Sequence, residues 1–131
     1  MLRGELTQPE TDLLQQLERQ EREDCVQRCQ VCHRACLDLA AALDGVYGGD
    51  AGMLVELLLD TADITAMLAT TLGHSHARLN RPLAALCQEI CERCERECAR
   101  RMEEGEAEPC IRACAQCAVG CRGLIEEWSI Q

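Results

Sequence analysis

The chain has 131 residues, with 13 basic side chains, all Arg, against 23 Asp plus Glu, a net charge of −10, 12 Cys, one Trp, one Tyr and no Phe. An acidic surface nearly free of aromatic rings has neither a phosphate-neutralising patch nor a stacking platform, which argues against nucleic-acid binding. No apolar run approaches the roughly 18 residues of a bilayer span, so no membrane partner is expected. What remains is one domain's worth of chain. Leu, Ala, Glu, Arg and Gln abound while β-branched and aromatic residues are scarce, so the fold class expected is all-α.

The stretch MLRGELTQPETDLLQQLERQ shows neither an apolar signal core nor a twin arginine, so a reducing cytosolic setting is expected. There, 12 Cys read as metal ligands or redox groups rather than a disulfide scaffold. In chain order, Thr7 can cap a first amphipathic segment with Pro9 in its first turn and Leu13, Leu14 and Leu17 on its apolar side. That stripe is out of phase with the cysteines that follow, and the in-phase positions Glu18 and Glu21 are charged. A bend or break is therefore expected near residues 19 to 24, separating an N-terminal helical segment, 1–22, from a bundle domain, 23–131. Helix one of the bundle should cover about 23 to 44 and end at the Gly45 and Gly48-Gly49 turn. Helix two should run from about 51 to 73, with Gly73 as a glycine C-cap. Pro82 should open helix three, which runs to about Met102. A turn over Glu103 to Glu108 contains Gly105, and Pro109 starts helix four, which continues to about Trp128.

Four helices of about 20 residues joined by short turns specify an antiparallel up-down-up-down four-helix bundle. The cysteines fall on three of them as one repeated ruler: Cys25, Cys29, Cys32, Cys36; Cys87, Cys91, Cys94, Cys98; Cys110, Cys114, Cys117, Cys121. Each quartet reads C-x3-C-x2-C-x3-C. At about 100° per residue, those offsets confine four thiols to a stripe about 60° wide. Glu89, Glu92, Arg93, Glu95, Arg96 and Glu97 fill the opposite face of helix three, so its thiols point inward. The same template on helix two picks out Thr61, Thr65, Leu68 and Leu72, with Leu54 and Leu58 before them. One wall of the core carries no thiol.

Cysteines at i and i+4 have Cβ atoms about 5 to 6 Å apart, too far for a relaxed disulfide. Their sulfurs can still converge on a soft ion of low coordination number, which suits Cu(I). Twelve buried thiolates without cations would be untenable, so the metal-free thiols are expected to be neutral, with pKa values raised by desolvation. Roughly one Cu(I) per thiolate restores neutrality, whereas one Zn2+ per four thiolates leaves a charge at every site. Iron-sulfur ligation, structural zinc, interhelical disulfides and thiols serving only as small hydrophobes are the alternatives.

The three quartets, the helix-two segment LLLDTADITAMLAT and the run CQEICERCERECARR…CIRACAQCAVGCRGL resemble the bacterial copper storage proteins, over about residues 23 to 125. The resemblance implies a bundle lined with cysteines, loading of many Cu(I) ions, and a homo-oligomer, often a tetramer. Lacking a leader, the chain is similar to the cytosolic members. It departs on helix two, where relatives commonly read D-C-A-D-I-C and this chain has Asp60, Thr61, Ala62, Asp63, Ile64 and Thr65. That departure leaves a lower capacity or a changed metal open.

Among secondary candidates, His74 and His76 belong at the bundle end that holds Cys25, Cys87 and Cys121. They are entry ligands or plain exposed loop histidines. His33, 80° from Cys25, is expected to hydrogen-bond between helices rather than ligate, and Met53, Met67 and Met102 to pack. Thr61 and Thr65 can satisfy their hydroxyls on carbonyls of their own helix. The reading is a cytosolic Cu(I) store without catalytic turnover, exchanging metal with a donor or acceptor thiol. The competing classes are an iron-sulfur or zinc redox protein and a structural interaction bundle with incidental thiols.

Overall fold

The computed structural model describes residues 5–43, 51–74, 77–102 and 105–130. They form four helices: α1 (Gln8–Leu43), α2 (Ala51–Gly73), α3 (Ala77–Arg101) and α4 (Glu108–Ile130). Each helix packs on its chain neighbours and α4 closes the ring on α1, while the backbones of α1 and α3, on the diagonal, stay apart among the described residues and meet through their thiols. This is the expected four-helix bundle. No described helix is long and apolar enough to cross a membrane.

Helix α1 starts as its sequence dictates. The Thr7 hydroxyl accepts from the Glu10 amide at 3.2 Å, and the Thr7 carbonyl takes the first helical bond from Thr11 at 2.9 Å, satisfying donors that a helix start leaves orphaned. Residues 8–22 are helical as expected, and no break interrupts residues 19 to 24: α1 is one helix of 36 residues. The mismatch of stripes is real, yet it needs no break. The early turns run past the other helices, so Leu13, Leu14 and Leu17 stay about half exposed instead of having to align with the core.

Two prolines sit differently from expectation. Helix α3 begins five residues before Pro82, which lies inside it. Near a helix start the missing N–H forfeits one bond, to the Arg78 carbonyl, while the preceding residues are helix-compatible. Pro109 is the second residue of α4 rather than the first. The Ala107 carbonyl accepts the first bond, from Ile111 at 2.9 Å, so the amide that Pro109 lacks is still one of the orphans. Helix α2 ends at Gly73 as expected, though without a left-handed glycine. Among the described residues, the glycine with positive φ is Gly105 (φ 103°), in the α3–α4 turn, a conformation a Cβ would strain. The Gly45 and Gly48-Gly49 turn lies outside the described residues.

The core is layered along the bundle axis. All 12 cysteines are buried, together with Thr61 and Thr65. Beyond the thiols at one end, Leu39, Leu43, Leu54 and Leu58 close the interior, and at the other Leu68, Leu72, Ala84 and Leu124 do so. Each fully buried leucine contributes about 1.5–3 kcal/mol, so these leucine layers hold the fold on either side of the sulfur.

Candidate metal centre

The three stripes meet as their phase predicts. Every cysteine is a free thiol, and the sulfurs approach one another both along and across helices. Cys29 Sγ lies 3.8 Å from Cys117, Cys117 3.7 Å from Cys87, Cys87 3.9 Å from Cys91, and Cys91 3.9 Å from Cys32. From Cys32 the ladder continues to Cys114 at 3.6 Å, to Cys36 at 4.0 Å and to Cys110 at 3.7 Å. Cys25 adjoins the ladder at one end, beside Cys121 and Cys29. Cys98 adjoins it at the other, beside Cys110 and Cys94.

These separations suit a shared metal. With metal–sulfur bonds of about 2.3 Å, sulfurs about 120° apart around one ion are about 4 Å apart. Three groups have all their sulfurs within 4.8 Å of one another: Cys36, Cys94, Cys110 and Cys114; Cys29, Cys87 and Cys117; Cys32, Cys91 and Cys117. Cys117 belongs to two of them, so the sites are not isolated cages.

Burial raises each of these thiols, as expected, and the hydrogen bonds among them add shifts of both signs. In the pair Cys25 and Cys29, hydrogen bonds from Cys121 and from Cys29 pull Cys25 below the ordinary thiol range, while the neighbouring thiols, Cys117 first, push Cys29 up. Cys32 is drawn down to about 7, chiefly by Cys114, while Cys36 is driven up, chiefly by Cys110. Cys94 is lowered and Cys98 raised, each chiefly by Cys110. In a close thiol cluster, donors stabilise one thiolate and its charge then blocks the next.

Helix α2 supplies the remaining wall. Thr61 donates to the Leu57 carbonyl at 2.7 Å, and Thr65 to those of Thr61 and Ala62, both at 2.9 Å. Their hydroxyls are thereby satisfied within α2. His33 makes the interhelical bond expected of it: its Nδ1 lies 2.7 Å from the Ala62 carbonyl. As a carbonyl only accepts, that nitrogen carries the proton. His74 is exposed at the end of α2 and belongs to none of the thiol groups; its amide donates to the Thr70 carbonyl at 3.1 Å. His76 lies outside the described residues. Met102 packs on the core, but Met67 and Met53 are 50% and 68% exposed, contrary to the packing expected of them. Met67, about 120° from the α2 stripe, falls wholly on its outer face.

One feature of the site escaped the sequence reading. Near the Cys25 end, Glu127 of α4 lies beside Glu21 and Glu18 of α1, and its Oε2 is buried with no hydrogen-bond partner among the described residues. Burial first, and the Glu21 carboxyl second, raise its pKa to about 7. The charged in-phase positions Glu18 and Glu21 were the available signal, but nothing local in sequence pairs them with Glu127.

A four-helix bundle lined by a connected run of free thiols defines the class: a vessel for soft metal ions. The copper storage protein family model matches residues 14–126, and the chain belongs to that family. It is 31% identical over 101 residues, 77% of this chain and 86% of the relative, to the uncharacterized cysteine-rich protein YhjQ of Bacillus subtilis. Among solved structures it is similar to a cytosolic copper storage protein from Streptomyces lividans holding five coppers. That match has 27% identity and a TM-score of 0.77, and covers 84% of this chain and 96% of the other. It is similar also to the Cu(I)-bound copper storage protein BsCsp3, with 26% identity and a TM-score of 0.71, over 80% of this chain and 98% of the other.

Proposed function

We propose that this chain binds and stores several Cu(I) ions in the cytosol, with all 12 thiols as ligands and no catalytic turnover. The observation that carries this reading is the ladder of sulfurs 3.6–4.0 Å apart. Shared thiolates favour many monovalent ions spread along the bundle over a few self-contained sites, and near-neutral loading follows from roughly one Cu(I) per thiolate. Each ion displaces a thiol proton, so uptake releases protons. Metal arrives and leaves by exchange with a donor or acceptor thiol, and the relatives' use of copper supports the choice of ion. A homo-oligomer, a tetramer by the family resemblance, is part of the same reading.

Anaerobic titration of the reduced protein with Cu(I) against a chromophoric chelator tests it. Retention of several equivalents is expected, and retention of none or one overturns it. One group, Cys36, Cys94, Cys110 and Cys114, has the four sulfurs that a tetrahedral Zn2+ also accepts. Under the storage reading, Cu(I) displaces any Zn2+ bound there.

A further inference from the structure

A store needs a route for its cargo, and among the described residues buried leucines stand across the axial route at both ends of the thiol ladder. Leu58, Leu68, Leu72 and Leu124 are all buried, at 0–3% exposure. The α1–α4 wall is different. A cleft of about 190 Å³ between these helices is lined by Glu21, Asp24, Arg28, Gly120 and Gly123, with Cys25 at its floor. A Cβ on Gly120 would lie 3.7 Å from Cys25 Sγ and 3.1 Å from Arg28 Cδ. The glycine therefore leaves a window onto the sulfur itself, and the aliphatic stem of Arg28 crosses it. Arg28 is held there by one bond, from Nη1 to the Gln116 carbonyl across the cleft at 3.3 Å. Ten of the 12 cysteines are 0% exposed, whereas Cys25 and Cys110 are each 1% exposed and each line an α1–α4 cleft. The wall at Cys110 has no such glycine: Val31, Ala35 and Leu39 side chains line its cleft.

We propose that Cu(I) enters and leaves sideways, through the α1–α4 wall at Gly120, with Cys25 as the first thiol to take it and Arg28 as the latch over it. This rests on the storage reading and adds its route. The step is a ligand exchange. The Cys25 sulfur forms a bond to Cu(I), the donor sulfur–Cu(I) bond breaks, a proton held by the Cys25, Cys29 and Cys121 thiol cluster passes to the departing thiolate, and copper stays at +1. From Cys25 the ion moves to Cys121 and Cys29, the thiols beside it, and then down the ladder. The acidic rim of Glu21 and Asp24 leaves the mouth open to cationic or neutral copper complexes and repels anionic ones.

The experiment compares wild type, Gly120→Val, Arg28→Ala, Leu72→Ala and Leu124→Ala. Its readouts are the rate of Cu(I) transfer from a small-thiol complex, the final capacity, and the order in which iodoacetamide labels the metal-free thiols, read by mass spectrometry. Gly120→Val should slow transfer about tenfold at unchanged capacity, a barrier change of about 1.4 kcal/mol. Arg28→Ala should speed it several-fold, and the leucine variants should leave it within about twofold. Cys25 should be labelled first in wild type, faster still in Arg28→Ala. If Gly120→Val fails to fold, Arg28→Ala and the labelling order decide. Labelling of Cys110 first, no rate response in Arg28→Ala, or faster loading in a leucine variant overturns the route. Wild type that retains no copper overturns storage instead, a result the labelling order does not share.

Discussion

Helix α2 and its three partners occupy equivalent places in the ring yet line the same interior with opposite chemistry. On α1, α3 and α4 the inward polar atoms are thiols whose partners are other thiols, 3.6–4.0 Å away. On α2 they are hydroxyls bonded 2.7–2.9 Å away to carbonyls of their own helix. The α2 wall is complete without metal. The other three are satisfied only collectively, through weak S–H donors, and so stay open to a better partner. What marks the site is therefore unfinished hydrogen bonding in a finished core.

The largest expected effect breaks the ladder where its rungs are shared. Cys32→Ser, Cys114→Ser and Cys117→Ser together should lower Cu(I) capacity to roughly half, more than the three lost thiols account for, because oxygen is a poor Cu(I) ligand and Cys117 serves two groups. The metal-free variant should keep its helicity, since each serine can bond to its own helix as Thr61 does. Anaerobic titration and circular dichroism check both halves. Loss of helicity along with capacity would make the thiols staples rather than ligands.

A smaller gain is expected from the converse change. Thr61→Cys with Thr65→Cys would extend sulfur to the fourth wall and should add about two Cu(I), one per new thiolate. The serine versions should add none. Both positions are fully buried and inward, so an unchanged capacity in the cysteine variant would mean that α2 stands outside the metal zone.

How much of this could be read beforehand depends on whether the signal was periodic or relational. The three cysteine rulers carry their own phase, and the interior they line follows from it. The Thr61 and Thr65 wall was likewise visible because the same template could be slid along α2. The unbroken α1 was not, since phase mismatch forces a break only where both stripes must be buried, and the sequence does not say that Leu13 and Leu17 overhang. Pro82 misled because a proline near a helix start marks a permitted place, not a boundary. The window at Gly120 is relational. It exists because Arg28 and Cys25 of α1 come to lie against it, 92 and 95 positions away in the chain.

The smallest effect concerns the place where sulfur gives out on α1 and carboxylates take over. Glu127 has a folded pKa of about 7 against an ordinary value of 4.5, raised by burial first and by Glu21 second. A carboxyl raised on folding holds its proton more tightly in the native state. Relative to its charged form, it therefore helps the fold fully below pH 4.5, and that help is lost as pH rises toward 7. With screening at this partly exposed position, the difference between pH 5 and pH 8 should be about 1 kcal/mol. Glu127→Gln should remove that part of the slope, so the variant gains on wild type as pH rises; urea unfolding of reduced, metal-free protein at pH 5 to 8 reads the difference. Glu21→Gln should recover less than half of the gain, because desolvation, not the neighbouring charge, is the larger cause. Equal recovery by the two variants would put the repulsion between carboxylates ahead of burial, and the Glu127 side chain would then be wetter than its buried Oε2 indicates.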